Sequence, residues 1–278
     1  MDASQNALSL RMPAEHGAWG VMFAPLVCAA IIANRWNVPL LLCVVCALSL
    51  FLLRGSLDRQ WQESKELAWG TPAHLSLAAV GAITGGLLIF FYRRYELCGI
   101  ALAALVLFWV QHELVRSAPR REKRSLTAEL VGVVLLSLTA PAAWIAARGS
   151  LFAGSSGVTG LAVWLLNLFF FLGGVLYVKY RVRGLLAHRE FTTVRERIAF
   201  AWPVFLYHLV LLAFLTSGAL FGLHRASIIA AFVPGTLRAM GLLVSLGRRF
   251  AIPRLGWSEI LHSALFLALL VFMMGLAA

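Results

Sequence analysis

Residues 11–33 read "RMPAEHGAWGVMFAPLVCAAIIA". Two ionisable side chains, Glu15 and His16, stand at the mouth of a run that is then apolar for the thickness of a membrane, about 20 residues of helix. The rest of the chain has the same character. Of its 278 residues 61% are hydrophobic and only 13% charged, with a mean hydropathy of +0.84. A water-facing surface needs more charge than this, so a soluble domain is excluded and a polytopic membrane protein is implied. The polar punctuation predicts an all-α protein of nine transmembrane helices, over residues 17–34, 37–53, 74–92, 96–115, 127–147, 158–178, 199–222, 226–246 and 257–277. No linker or low-complexity stretch divides them, so residues 1–278 read as one membrane domain. The first segment is expected to stay in the mature chain. Its leader carries only Arg11 as a basic residue, and it lacks a small-residue cleavage site.

Orientation follows from the basic residues. One set of ends holds Arg11; Arg54, Arg59 and Lys65; Arg116, Arg120, Arg121, Lys123 and Arg124; Lys179, Arg181, Arg183, Arg189, Arg195 and Arg197; and Arg248, Arg249 and Arg254. The opposite ends hold only Arg35, Arg93, Arg94, Arg148 and Arg225. Positive charge stays inside during insertion, which predicts a cytoplasmic N-terminus and an external C-terminus. The net charge of +12 therefore needs no nucleic acid to explain it, although such a face also attracts anionic lipid.

Several shorter signals carry less. Cys28, Cys43 and Cys46 fall in apolar helices and Cys98 near the start of another, where thiols pack as small hydrophobes; the CxxC of Cys43 and Cys46 lacks the second pair a zinc site needs. In "SLDRQWQESKELAW" (56–69) the spacing of Leu57, Trp61, Ser64 and Ala68 predicts a short amphipathic helix on the membrane surface. "RGSL" at 54–57 and "RGLL" at 183–186 form a faint echo four helices apart.

The opening "EHGAW" (15–19), followed by a helix with Pro25, and the later "RREKRSLTAELVG" (120–132), "YVKYRVRG" (177–184), "LYH" (206–208) and "LGWSEILHS" (255–263) resemble the YwiC-like family of bacterial membrane proteins. That family implies a bacterial cell membrane but no reaction. A more distant likeness is to the UbiA prenyltransferase superfamily, through nine helices, sites in the loops after helices 2 and 6, and a Lys-Arg pair in loop 4–5, here Lys123 and Arg124. Members of that superfamily carry Asp-rich motifs after helices 2 and 6, because magnesium bridges carboxylates to a diphosphate. This chain departs from the pattern. It has two aspartates, Asp2 and Asp58; Asp58, Glu63 and Glu66 make a degraded cluster, and "YVKYRVRG" has no acid.

Arg and Lys bind phosphate oxygens without metal. Arg54, Lys123, Arg124, Lys179 and Arg183, at helix ends of one face, are candidates for an anion cup that takes an isoprenoid phosphate or an anionic phospholipid, with no cofactor and no metal. His16 is expected to line that cavity and Glu15 to pair with a basic residue there. Arg238 differs, because it lies midway along "FVPGTLRAMGLL" (232–243). A charge at that depth costs about 2.5 kcal/mol or more and faces a partner or a polar cavity. The candidate partners are Glu15, Glu113, Glu129 and Glu259, and Pro234 and Gly235 are expected to break the helix one turn earlier and open a cavity beside it. Glu259 and His262 form an ExxH on one face; with His16, His112 and His208 they open a rival reading as a metal or haem site. Two functions thus stand side by side. One is a degenerate UbiA-like lipid-linked transferase that binds an amphiphilic phosphate, the other a non-enzymatic transporter or membrane-complex assembly factor.

Overall fold

A computed structural model of the chain describes residues 16–64, 71–117, 125–153, 159–187, 191–221, 225–247 and 252–275. Among them every regular element is helical. In chain order these are α1 (His16–Ala33), α2 (Val38–Ser64), α3 (Pro72–Gly86), α4 (Glu96–Ser117), α5 (Leu126–Ser137), α6 (Thr139–Arg148), α7 (Gly160–Leu186), α8 (Val194–Leu220), α9 (Ile229–Met240), α10 (Leu242–Ser245) and α11 (Ile252–Gly275). α5 with α6 forms one span, Leu126–Arg148, and a 3-10 turn with α9 and α10 forms another, Ala226–Ser245. Eight helices are long and apolar enough to cross a bilayer, and α1 adds a shorter apolar helix, Gly17–Ala33. The expected count of nine is therefore approximate.

α1 sits at the centre, packed on α6, α11, α5 and α7. Its small residues explain the position: Cys28, Ala29, Ala30 and Ala33 are buried and let neighbouring backbones approach closely. Trp144 of α6 and Phe266 and Leu270 of α11 complete the core around it. α2 and α3 pair with each other, and α4 lies against α5 with Leu102, Leu105 and Trp109 facing outward, as lipid contact requires.

Local chemistry sets the ends of these helices. Ser125, Thr159 and Thr193 cap α5, α7 and α8, each side-chain oxygen accepting a backbone N–H three residues on. α3 runs into a π-helical turn, Leu87–Phe91, before Arg93 adopts a positive φ of 54° and reverses the chain. Pro141, without an N–H, falls in the first turn of α6, where the span is interrupted. Pro203 likewise accompanies non-helical geometry at Ala201 in α8. Of the amphipathic helix expected at 57–68, residues 65–68 lie outside the described residues and 57–64 belong to α2. α2 continues unbroken to Ser64, and at 1.5 Å per residue its 27 residues reach about 40 Å, beyond a hydrocarbon core of about 30 Å.

Candidate functional site

The richest concentration of polar side chains within the spans lies where α7, α8, α9 and α11 meet. Arg238 of α9 donates to the carboxylate of Glu259 on α11 and, at 3.4 Å, to Ser258 Oγ. Its guanidinium also lies over the ring of Tyr177 on α7, 4.0 Å from the centroid. This cation–π contact and the ion pair hold a charge that would otherwise be expelled from the bilayer. Of the four acids considered as partners, the structure brings Glu259 to Arg238. Glu129 instead accepts from Lys179 at 2.7 Å, Glu113 lies 3.5 Å from Arg116, and Glu15 is outside the described residues.

A cavity of about 30 Å³ opens beside Arg238, lined by Tyr177, His208, His262, Gly173, Gly174 and Gly235, with Phe169, Phe170, Leu211 and Phe232 as its apolar walls. Its size admits about two water molecules. His208 Nδ1 is 2.8 Å from the Val204 carbonyl; since a carbonyl only accepts, the proton sits on Nδ1 and Nε2 is left as an acceptor. Gly173 leaves that edge open: a Cβ there would come 3.6 Å from His208 Nε2. Gly235 does the same for His262, whose Nε2 would be 3.3 Å from an added Cβ. Depth is shared as well. Arg238 lies seven residues from Ser245, His262 eight from Arg254 and Tyr177 nine from Leu186, about 10–14 Å from the more basic ends of these helices.

Of the other predicted anion ligands, Arg54, Lys179 and Arg183 do not line this cavity. Arg54 donates to Gln111 Oε1 at 2.6 Å and lies 3.6 Å from Asp58. Gln111 in turn donates to the Ala128 carbonyl at 3.2 Å. With Glu129 and Lys179 next along, a polar chain crosses α2, α4, α5 and α7. Arg183, expected on one face with Lys179, is exposed and stands 5.5 Å from the ring of Tyr180. Lys123 and Arg124 lie outside the described residues, as does the side chain of His16. The expected cluster keeps only Asp58 in view. Arg181 and Arg197 serve α10, donating to the carbonyls of Ser245 and Leu243 at its C-terminal end, where a cation offsets the helix dipole.

His112 lies against Phe108 and Trp109 on α4, away from His208 and His262. No group of three His, Cys, Asp or Glu with metal-binding geometry occurs among the described residues. Tyr177, Gln111 and the glycine pair Gly173–Gly174 were not singled out from sequence. The doubled glycine within a span is the signal that marks a close approach.

The architecture and this cavity define a multi-pass helical membrane protein with an ionised site inside the bilayer. Residues 12–144, just under half of the chain, match the family described as YwiC-like protein. The match covers "EHGAW" and "RREKRSLTAELVG" and stops before the three later motifs and before every residue that lines the cavity. No curated protein and no solved structure matches the chain, and the distant prenyltransferase likeness gains nothing from these comparisons.

Proposed function

We propose that this membrane protein binds an oxyanion, as the head of an amphiphile or as a small solute, in the cavity at Arg238, and that it acts as a carrier and not as a catalyst. The observation that carries the reading is an arginine well inside a span, held by Glu259 over Tyr177 at the edge of a cavity built by four helices. Intramembrane charges mark ligand or ion pathways, and a proline inside a span, here Pro234 one turn before Arg238, is a place where such a helix can bend. The small volume fits a closed state. The ligand enters from the basic face, which the charge asymmetry assigns to the cytoplasm of a bacterial cell, with the N-terminus on the same side. Surrounding anionic lipid supplies a ready source.

A second reading is favoured by the run of cations at the end of α7, Lys179, Arg181 and the exposed Arg183. These match the direct-contact cup of a degenerate UbiA-like transferase for an isoprenoid phosphate, with Arg54, Lys123 and Arg124 as further members. Native mass spectrometry of the gently purified protein separates the two. The carrier reading expects an anion retained through chelation of divalent ions and lost in Arg238→Gln. The transferase reading expects a prenyl phosphate that survives Arg238→Gln and is lost in Arg183→Gln. Loss on chelation alone contradicts both.

A further inference from the structure

We infer that an anion reaches Arg238 only as Glu259 takes up a proton, so that the cavity loads one anion together with one proton. This rests on the anion reading above. Arg238 already holds a carboxylate: Glu259 accepts from it, Ser258 shares the same nitrogen, and Tyr177 covers the guanidinium face. Both of these bonds use the same guanidinium nitrogen and Arg238 itself lines the cavity, so an oxyanion entering there meets an arginine whose charge Glu259 already neutralises. Two carboxylate-like charges against one cation, at a depth where water does not screen them, repel strongly. Transfer of a proton from water to the Glu259 carboxylate removes one of them, converts the residue from competitor to hydrogen-bond donor, and leaves the loaded site with the net charge it had when empty.

The surrounding groups place this proton on Glu259. α7 presents Tyr177 to Arg238, and its cations further along are engaged elsewhere, Lys179 with Glu129 and Arg181 with the Ser245 carbonyl. α8 presents His208, bonded through Nδ1 to Val204, and Tyr207, whose hydroxyl donates to the Phe169 carbonyl. α9 contributes Arg238. α11 contributes Ser258, Glu259 and, one turn on, His262 against Gly235. Glu259 is the one carboxylate facing Arg238 among the described residues. α9 runs unbroken through Pro234 and Gly235, where a break was expected, but Pro234 lacks the N–H of one helical bond and marks the point at which α9 can bend away from α11.

The test uses the full chain in lipid nanodiscs and two sulfonates whose charge is constant between pH 5 and 8, methanesulfonate as bare head and decanesulfonate as head with tail. Wild-type affinity should rise about tenfold for each unit of falling pH over the range where Glu259 titrates, the slope of one bound proton per anion. Binding of both probes assigns a solute; binding of decanesulfonate alone assigns an amphiphile. Glu259→Gln should bind with a flat pH profile and at least the wild-type affinity at low pH, and Glu259→Asp should restore the slope and control for folding. A flat wild-type profile overturns the coupling and leaves the anion site standing. A slope that survives in Glu259→Gln and disappears in His262→Gln overturns the assignment to Glu259. No binding of either probe by well-folded wild type removes the anion site itself, and the coupling with it.

Discussion

Two arginines in this molecule are alike in chemistry and opposite in setting. Arg148 ends α6 on the less basic side, where its Nε donates to the Ala33 carbonyl at 2.8 Å and its guanidinium stands 5.4 Å from the Trp144 ring. It closes the C-terminal end of α1 and complements the dipole there, while Trp144 is itself fixed by a 2.8 Å bond to the Ala153 carbonyl. Asn37 adds a bond to Ala147 across the same junction. Arg238 also lies over an aromatic ring, yet its anionic partner is a side chain on another helix and its neighbours are a cavity, two histidines and three glycines. A backbone carbonyl cannot be exchanged or protonated; a carboxylate can. Arg148 is therefore a strut, and Arg238 is the arginine proposed here as a site.

The largest effect should come from Glu259→Ala. It strands Arg238 in a half-buried position, so the protein should lose about 3–5 kcal/mol on unfolding in mixed micelles. Glu259→Leu with Arg238→Met should recover most of that loss, since replacing both partners removes the uncompensated charge. Failure to recover would make the pair a strut like Arg148. Next comes packing around Trp144. A Cβ on Gly160 would lie 2.5 Å from its indole ring, so Gly160→Ala should cost about 1–3 kcal/mol through overpacking. Gly235→Ala meets only the edge of His262 at 3.3 Å. It should leave the melting temperature nearly unchanged while weakening anion binding, which sharpens the division between core and site. Lys179→Gln should cost only about 0.5–1 kcal/mol, because the amide that replaces the ammonium can still donate to the partly exposed Glu129.

Sequence pattern located the spans because hydrophobic length is a strong signal, and it located Arg238 because a charge inside a span is conspicuous. It also included Glu259 among four partners. It did not separate them, since helix order along a chain says little about which helices touch: α9 and α11 are neighbours in sequence and in space, but Tyr177 reaches the same arginine from α7, 61 residues earlier. The basic residues at helix ends are hard to sort for a related reason, since hydropathy does not show that Arg54 meets Gln111 of α4 while Lys179 meets Glu129 of α5. The apolar run 127–147, read as a single helix, hides a local shift in backbone bonding at Leu138, ahead of Pro141, that hydropathy does not register.

Orientation offers a clean check on one of these readings. Cys98 is exposed near the start of α4, at the ends predicted to face outward, whereas Cys28 and Cys43 are buried. An impermeant maleimide added to intact cells should label Cys98 in the wild type and nothing in Cys98→Ser. Labelling only after lysis would reverse the topology.

The most direct measurement is decanesulfonate binding, in nanodiscs at low pH, by the wild type, Arg238→Gln and Arg148→Gln side by side. Removal of a charge-assisted contact should weaken binding by Arg238→Gln about 10- to 100-fold, while Arg148→Gln, although less stable, should bind as the wild type does. Equal binding by all three would contradict the assignment of Arg238 as the anion site.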